Sequence, residues 1–227
     1  MPSPYVITCA SCGNRNPIYR NICKQCGAII RDRVPSIDLW RSFGQLIENP
    51  IMAFTQVLQA EQKNFATLVL VAALFKIYLI SVIISEIYSI GVFSLFHFFV
   101  HTLVSIAIIV LIGYFLKFIF KKYLLEFRIK DFYAGIAYSF MPQLLGLTIL
   151  FVLEFVVFGE QLFTFNPSPF LIRKNFAYLF SAMEIGVVIW NISLTSKVVW
   201  IYTGRKKSSF MFAIFFLGLI YLLMNIF

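Results

Sequence analysis

Five long apolar runs follow Lys63, at roughly Phe65–Ser85, Phe93–Leu116, Phe132–Phe158, Phe176–Tyr202 and Phe210–Phe227. A bilayer core of about 30 Å needs about 20 helical residues. The last run is the shortest, yet at about 1.5 Å per residue it reaches about 27 Å. The third and fourth have residues to spare for tilt. Composition agrees: 60% of the 227 residues are apolar and 13% are charged, against about 25% charged in ordinary soluble domains. A soluble domain of this size cannot hide that much apolar surface, and disordered chains are apolar-poor. A secreted disulfide scaffold is excluded as well, because the only four Cys lie between positions 9 and 26. The expected fold is an all-α polytopic membrane protein with five transmembrane helices and a small N-terminal zinc ribbon. Its parts are a ribbon at 1–33, amphipathic juxtamembrane helices at 34–63 and a five-span domain at 64–227.

Sidedness follows from Lys and Arg. Arg15, Arg20, Lys24, Arg31, Arg33, Arg41 and Lys63 precede the first run. Lys117, Lys121, Lys122, Arg128 and Lys130 follow the second, and Arg205, Lys206 and Lys207 follow the fourth. With five spans these 15 share one side, and only Arg173 and Lys174 face the other. Cytoplasmic loops carry this bias, so the N-terminus is expected in the cytoplasm and the C-terminus outside. The membrane is the cell inner membrane if the chain is prokaryotic. The net charge of +9 then reflects loop bias and contact with anionic membrane lipid rather than nucleic acid. The first 35 residues lack the apolar stretch of a signal peptide.

The cysteines form two matched knuckles, Cys9-Ala10-Ser11-Cys12-Gly13 and Cys23-Lys24-Gln25-Cys26-Gly27. Each can give two thiolates to one tetrahedral ion, and Gly13 and Gly27 suit the tight turns around sulfur. Asn14–Pro17 reads as turn material, with short strands at Tyr5–Thr8 and Ile18–Ile22. One structural zinc ion on Cys9, Cys12, Cys23 and Cys26 is expected, because some 30 residues cannot otherwise build a core. Iron in a rubredoxin-like site is the chemical alternative. Disulfides or a redox dithiol pair are disfavoured by a cytoplasmic location and by the paired motif.

Between ribbon and membrane, Ser36 or Asp38 can cap one helix and Asn49-Pro50 opens a second. Ile37, Leu39, Trp40, Phe43, Leu46 and Ile47 are spaced for one face of the first. Ile51, Phe54, Val57 and Leu58 face one way on the second. Such pieces lie in the lipid interface or pack on the ribbon and loops.

Ionisable residues inside spans are costly and each needs a reason. Lys76 and Glu184 fall at depths that agree within about 2 Å at 1.5 Å per residue, so they can pair. His97 and His101 stand one turn apart at the same outer half, and Glu154 is near the outer end of the third run. Ser181, Glu184, Asn191 and Thr195 share a stripe that should face protein or a cavity. Lys197, near the inner end, is expected to snorkel to the interface. The cluster Lys76, His97, His101, Glu154 and Glu184 reads as an ion, proton or metal site, or as an ion pair that only fixes helix register. Pro142 should kink the third span and free a carbonyl. No two glycines stand two apart, and no P-loop, H-E-x-x-H or G-x-S-x-G motif occurs, so an enzyme is not expected.

Asn49-Pro50, the lead-in from Ile51 to Lys63 and the Ala137-Tyr138-Ser139-Phe140-Met141-Pro142 stretch together resemble the Yip (Ypt/Rab-interacting protein) domain family of five-span membrane proteins. The likeness covers about residues 40–227, and the first 30 residues look like zinc ribbons fused to some prokaryotic members. The resemblance implies five spans and a cytoplasmic N-terminus, and it transfers no catalytic residue. The Asp-Leu-Tyr-Gly-Pro type motif of eukaryotic trafficking members is absent, so Rab binding is not carried over. The expected role is a non-enzymatic scaffold or adaptor whose ribbon and basic loops dock a cytoplasmic protein partner or lipid head groups. A small transporter or channel using the polar cluster is the alternative, an intramembrane enzyme ranks last, and homo-oligomer formation is left open.

Overall fold

The computed structural model describes residues 5–87, 94–120, 128–164 and 167–225. The expectations that fall on Phe93, Lys121, Lys122, Ile226 and Phe227 lie outside these residues. The ribbon opens with an antiparallel hairpin of β1 (Val6–Thr8) and β2 (Arg15–Pro17), in the register Val6 to Pro17 and Thr8 to Arg15. This corrects two expectations. Arg15–Pro17 is a strand rather than turn material, and Ile18–Ile22 is not a strand. The reason is local: the Cys9 amide donates to the Asn14 carbonyl at 2.9 Å. The turn therefore closes within the first knuckle, and residues 15–17 are already paired. Ile22 instead forms an isolated bridge with Ile29 across the second knuckle.

Two capped helices follow. In α1 (Leu39–Glu48), Asp38 accepts from the Arg41 amide at 3.0 Å. In α2 (Pro50–Gln59), Asn49 accepts from the Met52 amide at 3.2 Å and Pro50 takes the first turn, where its missing N–H costs nothing. The buried face of α2 (Ala53, Phe54, Val57, Leu58) packs on the bundle. Trp40 and Ile47 of α1 point outward, Trp40 with 82% of its surface exposed. The amphipathic pieces thus divide: α2 is a packed helix, and α1 keeps an outward apolar edge.

Five helical stretches are long and apolar enough to cross a membrane. They are α3 (Ala66–Ile87), α4 (Leu95–Phe120), an interrupted third span, α10 (Lys174–Thr203) and α11 (Lys206–Asn225). The third span comprises α5 (Ile129–Ser139), α6 (Met141–Leu145), a π-helical turn over Gly146–Leu150 and α7 (Phe151–Phe158). Short helices α8 (Gln161–Thr164) and α9 (Pro169–Ile172) lead to α10. In lipid, backbone groups must be satisfied within the protein, and helices do this internally.

The central element is α3, whose Val69, Leu70, Ala73, Leu74 and Ile77 are buried against α4, α5, α6 and α11. The outer one is α4: Leu103, Tyr114, Phe115 and Phe118 are exposed, and in a bilayer they face acyl chains. Its packed face includes Ser105, Ile109 and Gly113. At Gly135 the helices α5 and α10 come so close that a Cβ would stand 2.9 Å from Val198 Cγ1. Small residues of this kind let span backbones approach, since lipid gives no hydrophobic drive between them.

The third span breaks at Phe140, two residues before Pro142. The Gln143 amide turns to the Phe140 carbonyl at 2.9 Å, so the Ser139 carbonyl loses its ordinary helical donor. Asn191 Nδ2 on α10 supplies the replacement at 2.9 Å.

Candidate functional site

Each knuckle is closed by its own backbone. The Gly13 amide donates to the Cys9 carbonyl at 2.9 Å and the Gly27 amide to the Cys23 carbonyl at 3.2 Å. Both glycines have φ of 71°, a left-handed geometry that favours a residue without Cβ. The turns gather the four Sγ atoms within 4.8 Å of one another. Cys9 and Cys26 are 3.7 Å apart and Cys12 and Cys23 are 3.6 Å apart, well beyond a disulfide bond of about 2.05 Å. Four sulfurs each about 2.3 Å from a tetrahedral ion lie about 3.8 Å from one another. The four cysteines are therefore placed to hold a metal ion.

Backbone amides pull two of the thiols toward the thiolate form. Amides of Cys12 and Ser11 hold the Cys9 thiol below its ordinary range. The Cys26 amide does the same for Cys23, down to about 6, with Gln25 and Asn16 adding to it against burial. Cys12 goes the other way. The Asn14 amide would lower it, but its hydrogen bonds with Cys26, Cys23 and Cys9, together with burial, push it up to about 12. Four neighbouring thiolates need a positive centre. Asn16, absent from the sequence-based ligand set, is fully buried beside them. Its Nδ2 donates to the Asn14 carbonyl at 3.0 Å and to Cys23 Sγ at 3.5 Å, and its Oδ1 accepts from the Lys24 amide at 3.0 Å. It thus braces one knuckle against the other.

A second cluster seats the ribbon on the bundle. Asp131, in the first turn of α5, is 0% exposed. Arg128 clamps it with two bonds of 2.7 and 2.9 Å, and Lys63 Nζ reaches its Oδ1 at 3.0 Å. Lys63 also donates to the Val57 and Leu58 carbonyls at the end of α2. Burial lowers Lys63 to about 8 against the upward pull of Asp131. The Arg128 guanidinium lies 3.6 Å above the Tyr19 ring of the ribbon. Tyr5 stacks obliquely on Tyr202 of α10 at 4.8 Å. Arg31 donates to the Ile18 and Tyr19 carbonyls of the ribbon and to the Gln59 carbonyl of α2. The ribbon, the segment before α5 and the end of α10 therefore occupy one end of the bundle, as the charge pattern predicts.

Within the spans, Lys76 Nζ donates to Glu184 Oε1, and Lys76 is 0% exposed. The expected pair is formed. Gly146 in the π-helical turn makes room for it: a Cβ there would meet Lys76 Cε at 3.3 Å. Glu184 and Glu154 line one cavity of about 320 Å³, with Ser181 and otherwise mostly apolar walls such as Ile83, Phe158 and Phe180. Glu184 Oε2 has no hydrogen-bond partner among the described residues. His97 is exposed and His101 buried on α4, and neither lines this cavity. The structure thus joins three of the five sequence-selected polar residues. The stripe on α10 faces protein: Asn191 and Thr195 both bond to residue Ser139. Lys197 donates to Ser193 Oγ at 2.7 Å, one turn toward the N-terminus of α10.

Two measurements check these clusters. Asp131→Leu leaves Lys63 and Arg128 without a counter-charge, which should cost about 3 kcal/mol or more and release the ribbon to protease. Arg33→Ala breaks only the exposed pair with Glu61 and should cost less than about 1 kcal/mol in the same thermal unfolding assay. For the intramembrane pair, Lys76→Met and Glu184→Leu should each cost about 3 kcal/mol, and the double variant much less than their sum. Simple additivity would contradict the contact.

No family model matches the chain, and neither does any curated protein or solved structure.

Proposed function

We propose that the chain is a non-enzymatic integral membrane scaffold or adaptor of the Yip type, with a zinc-loaded ribbon on its cytoplasmic side. The supporting observation is the fixed seating of a four-thiol knuckle. All four metal-facing positions are cysteine, which leaves no open coordination site for catalysis. Zinc fits the sulfur spacing and would hold the two knuckles together, giving a small ribbon the stability its core cannot supply. Arg31, Tyr5 and Tyr19 anchor the ribbon, while Ile29 is 81% exposed and bridges Ile22. That exposed apolar position suits a cytoplasmic protein partner, and the basic residues of the ribbon and loops suit lipid head groups.

A second reading is a small transporter or channel. The cavity holding Glu154 and Glu184, with one unpartnered carboxylate oxygen, favours it. Ion or solute flux in proteoliposomes that vanishes in Glu184→Gln would promote it over the adaptor.

For the adaptor, metal analysis of the purified full chain should give about one zinc per chain, falling sharply in Cys23→Ser. Protein made under reducing conditions without metal would sink the ribbon assignment. A photo-crosslinker at Ile29 in native membranes should trap a protein partner, and the adduct should disappear in Cys23→Ser. The same probe at Phe118 of α4 should trap lipid only. Equal trapping at both positions would argue against the ribbon as the docking element.

A further inference from the structure

Lys197 is a charge inside α10, and the one acid of that helix, Glu184, is paired with Lys76. It stands six residues before the end of α10, is half-buried, and has no carboxylate partner among the described residues. Ionisable groups at such depth pair with something or mark a ligand path. An ammonium has three N–H donors, and the Ser193 hydroxyl takes one. Side chains on a helix lean toward its N-terminus, which brings this one to Ser193.

Lys197 opens into a groove of about 530 Å³, the size of a small-molecule pocket. Its polar part is Ser193, Ser196, Lys197 and Lys206, and its apolar part includes Ile189, Ile192 and Phe210. Ile51 of α2 borders it, and Trp200 lies between the two lysines in sequence, with Lys206 Nζ 5.6 Å from its ring centroid. The lining carries two ammonium groups and no carboxylate, so it selects an anion. Ser193 accepts from Lys197 and keeps its own O–H to donate. The apolar part continues along α10 toward the middle of the span, where a free inorganic ion has nothing to gain.

We infer that this groove binds an anionic phospholipid of the ribbon-side leaflet, its phosphate between Lys197 and Lys206 and an acyl chain along Ile189, Ile192 and Phe210. Basic pockets between spans recognise such head groups by charge and hydrogen bonding. This deepens the lipid part of the proposed function, and its test is separate from that of the ribbon. A failed crosslink at Ile29 leaves lipid retention readable, and failed retention leaves the crosslink untouched.

The experiment uses the full chain in nanodiscs of phosphatidylcholine with a minor share of phosphatidylglycerol. After detergent washing, retained lipid is quantified by mass spectrometry. The native chain should retain phosphatidylglycerol in preference to phosphatidylcholine. Lys197→Met with Lys206→Gln should reduce that retention about tenfold or more. Lys197→Arg should keep most of it, and Lys174→Gln, an exposed lysine at the far end of α10 outside the groove, should leave it unchanged. Lys206→Gln alone, at an exposed position, gives a partial loss and serves if the Lys197 variant does not fold. Equal retention by the double variant, or no preference for the anionic lipid, overturns the inference. Displacement by glycerol phosphate at concentrations comparable with the lipid would assign the site to a free organic phosphate and also overturn it. So would a second copy of the chain crosslinked through Lys197 in lipid-free detergent.

Discussion

A carboxylate removed from water must be matched or it destabilises whatever encloses it. Asp131 is matched twice, and each match reaches a different part of the chain. Lys63 brings the linker that joins α2 to the first span. Arg128 brings the ribbon, because its guanidinium carries Tyr19 on its other face. The first turn of α5 adds a favourable dipole for the negative charge. Around this group the ribbon, the juxtamembrane helices and two spans meet. Tyr5 on Tyr202 and Arg31 on the Gln59 carbonyl extend the contact outward, but Tyr5 is neutral and Arg31 meets carbonyls there, so neither answers a buried carboxylate. The orientation of the ribbon on the bundle depends on Asp131 more than on any apolar contact at that end.

The interior of the bundle follows a related rule for backbone groups. Pro142 and the break at Phe140 remove an ordinary helical donor, and Asn191 replaces it from the neighbouring span. The π-helical turn after it places Gly146 beside Lys76, so a side chain is absent where an ammonium must pass. The irregular third span is thus a place where polar groups of α3, α5 and α10 satisfy one another. Static assembly explains Ser139, Thr195 and the amide nitrogen of Asn191. It explains Glu154 less well, since that carboxyl faces a cavity rather than a cation.

Much of this architecture is legible in the residues. Run length alone sets the five spans, because the bilayer demands about 20 apolar residues from each. Asp38, Asn49 and Pro50 announce the starts of α1 and α2 through capping chemistry that acts within one turn. The knuckles are readable for the same reason, since four like ligands and two glycines act locally. The Lys76–Glu184 pair is readable because depth in a span is a one-dimensional coordinate. Asp131 is not readable: its partners lie far away in sequence, and an acid beside Arg128 and Lys130 looks like an ordinary loop charge. Asn16 was obscured by its setting among turn formers, although its amide braces Cys23. The neighbourhood of Lys197 is not readable either, because only the fold brings Lys206 into the same groove.

The ribbon and the surface that receives it are made at very different times. Tyr5 and Tyr19 are synthesised first, and Tyr202 near the end of the chain. Domains made early fold early, so the knuckles can close, with any ion they hold, while the spans that will hold them are still being translated. Until Asp131 and Tyr202 are in place, Tyr5, which is fully buried in the finished protein, is covered only from within the ribbon, by Tyr19. A ribbon that closes this early stays undocked until α10 has been made. Whatever meets its aromatic face during that interval competes with the bundle itself.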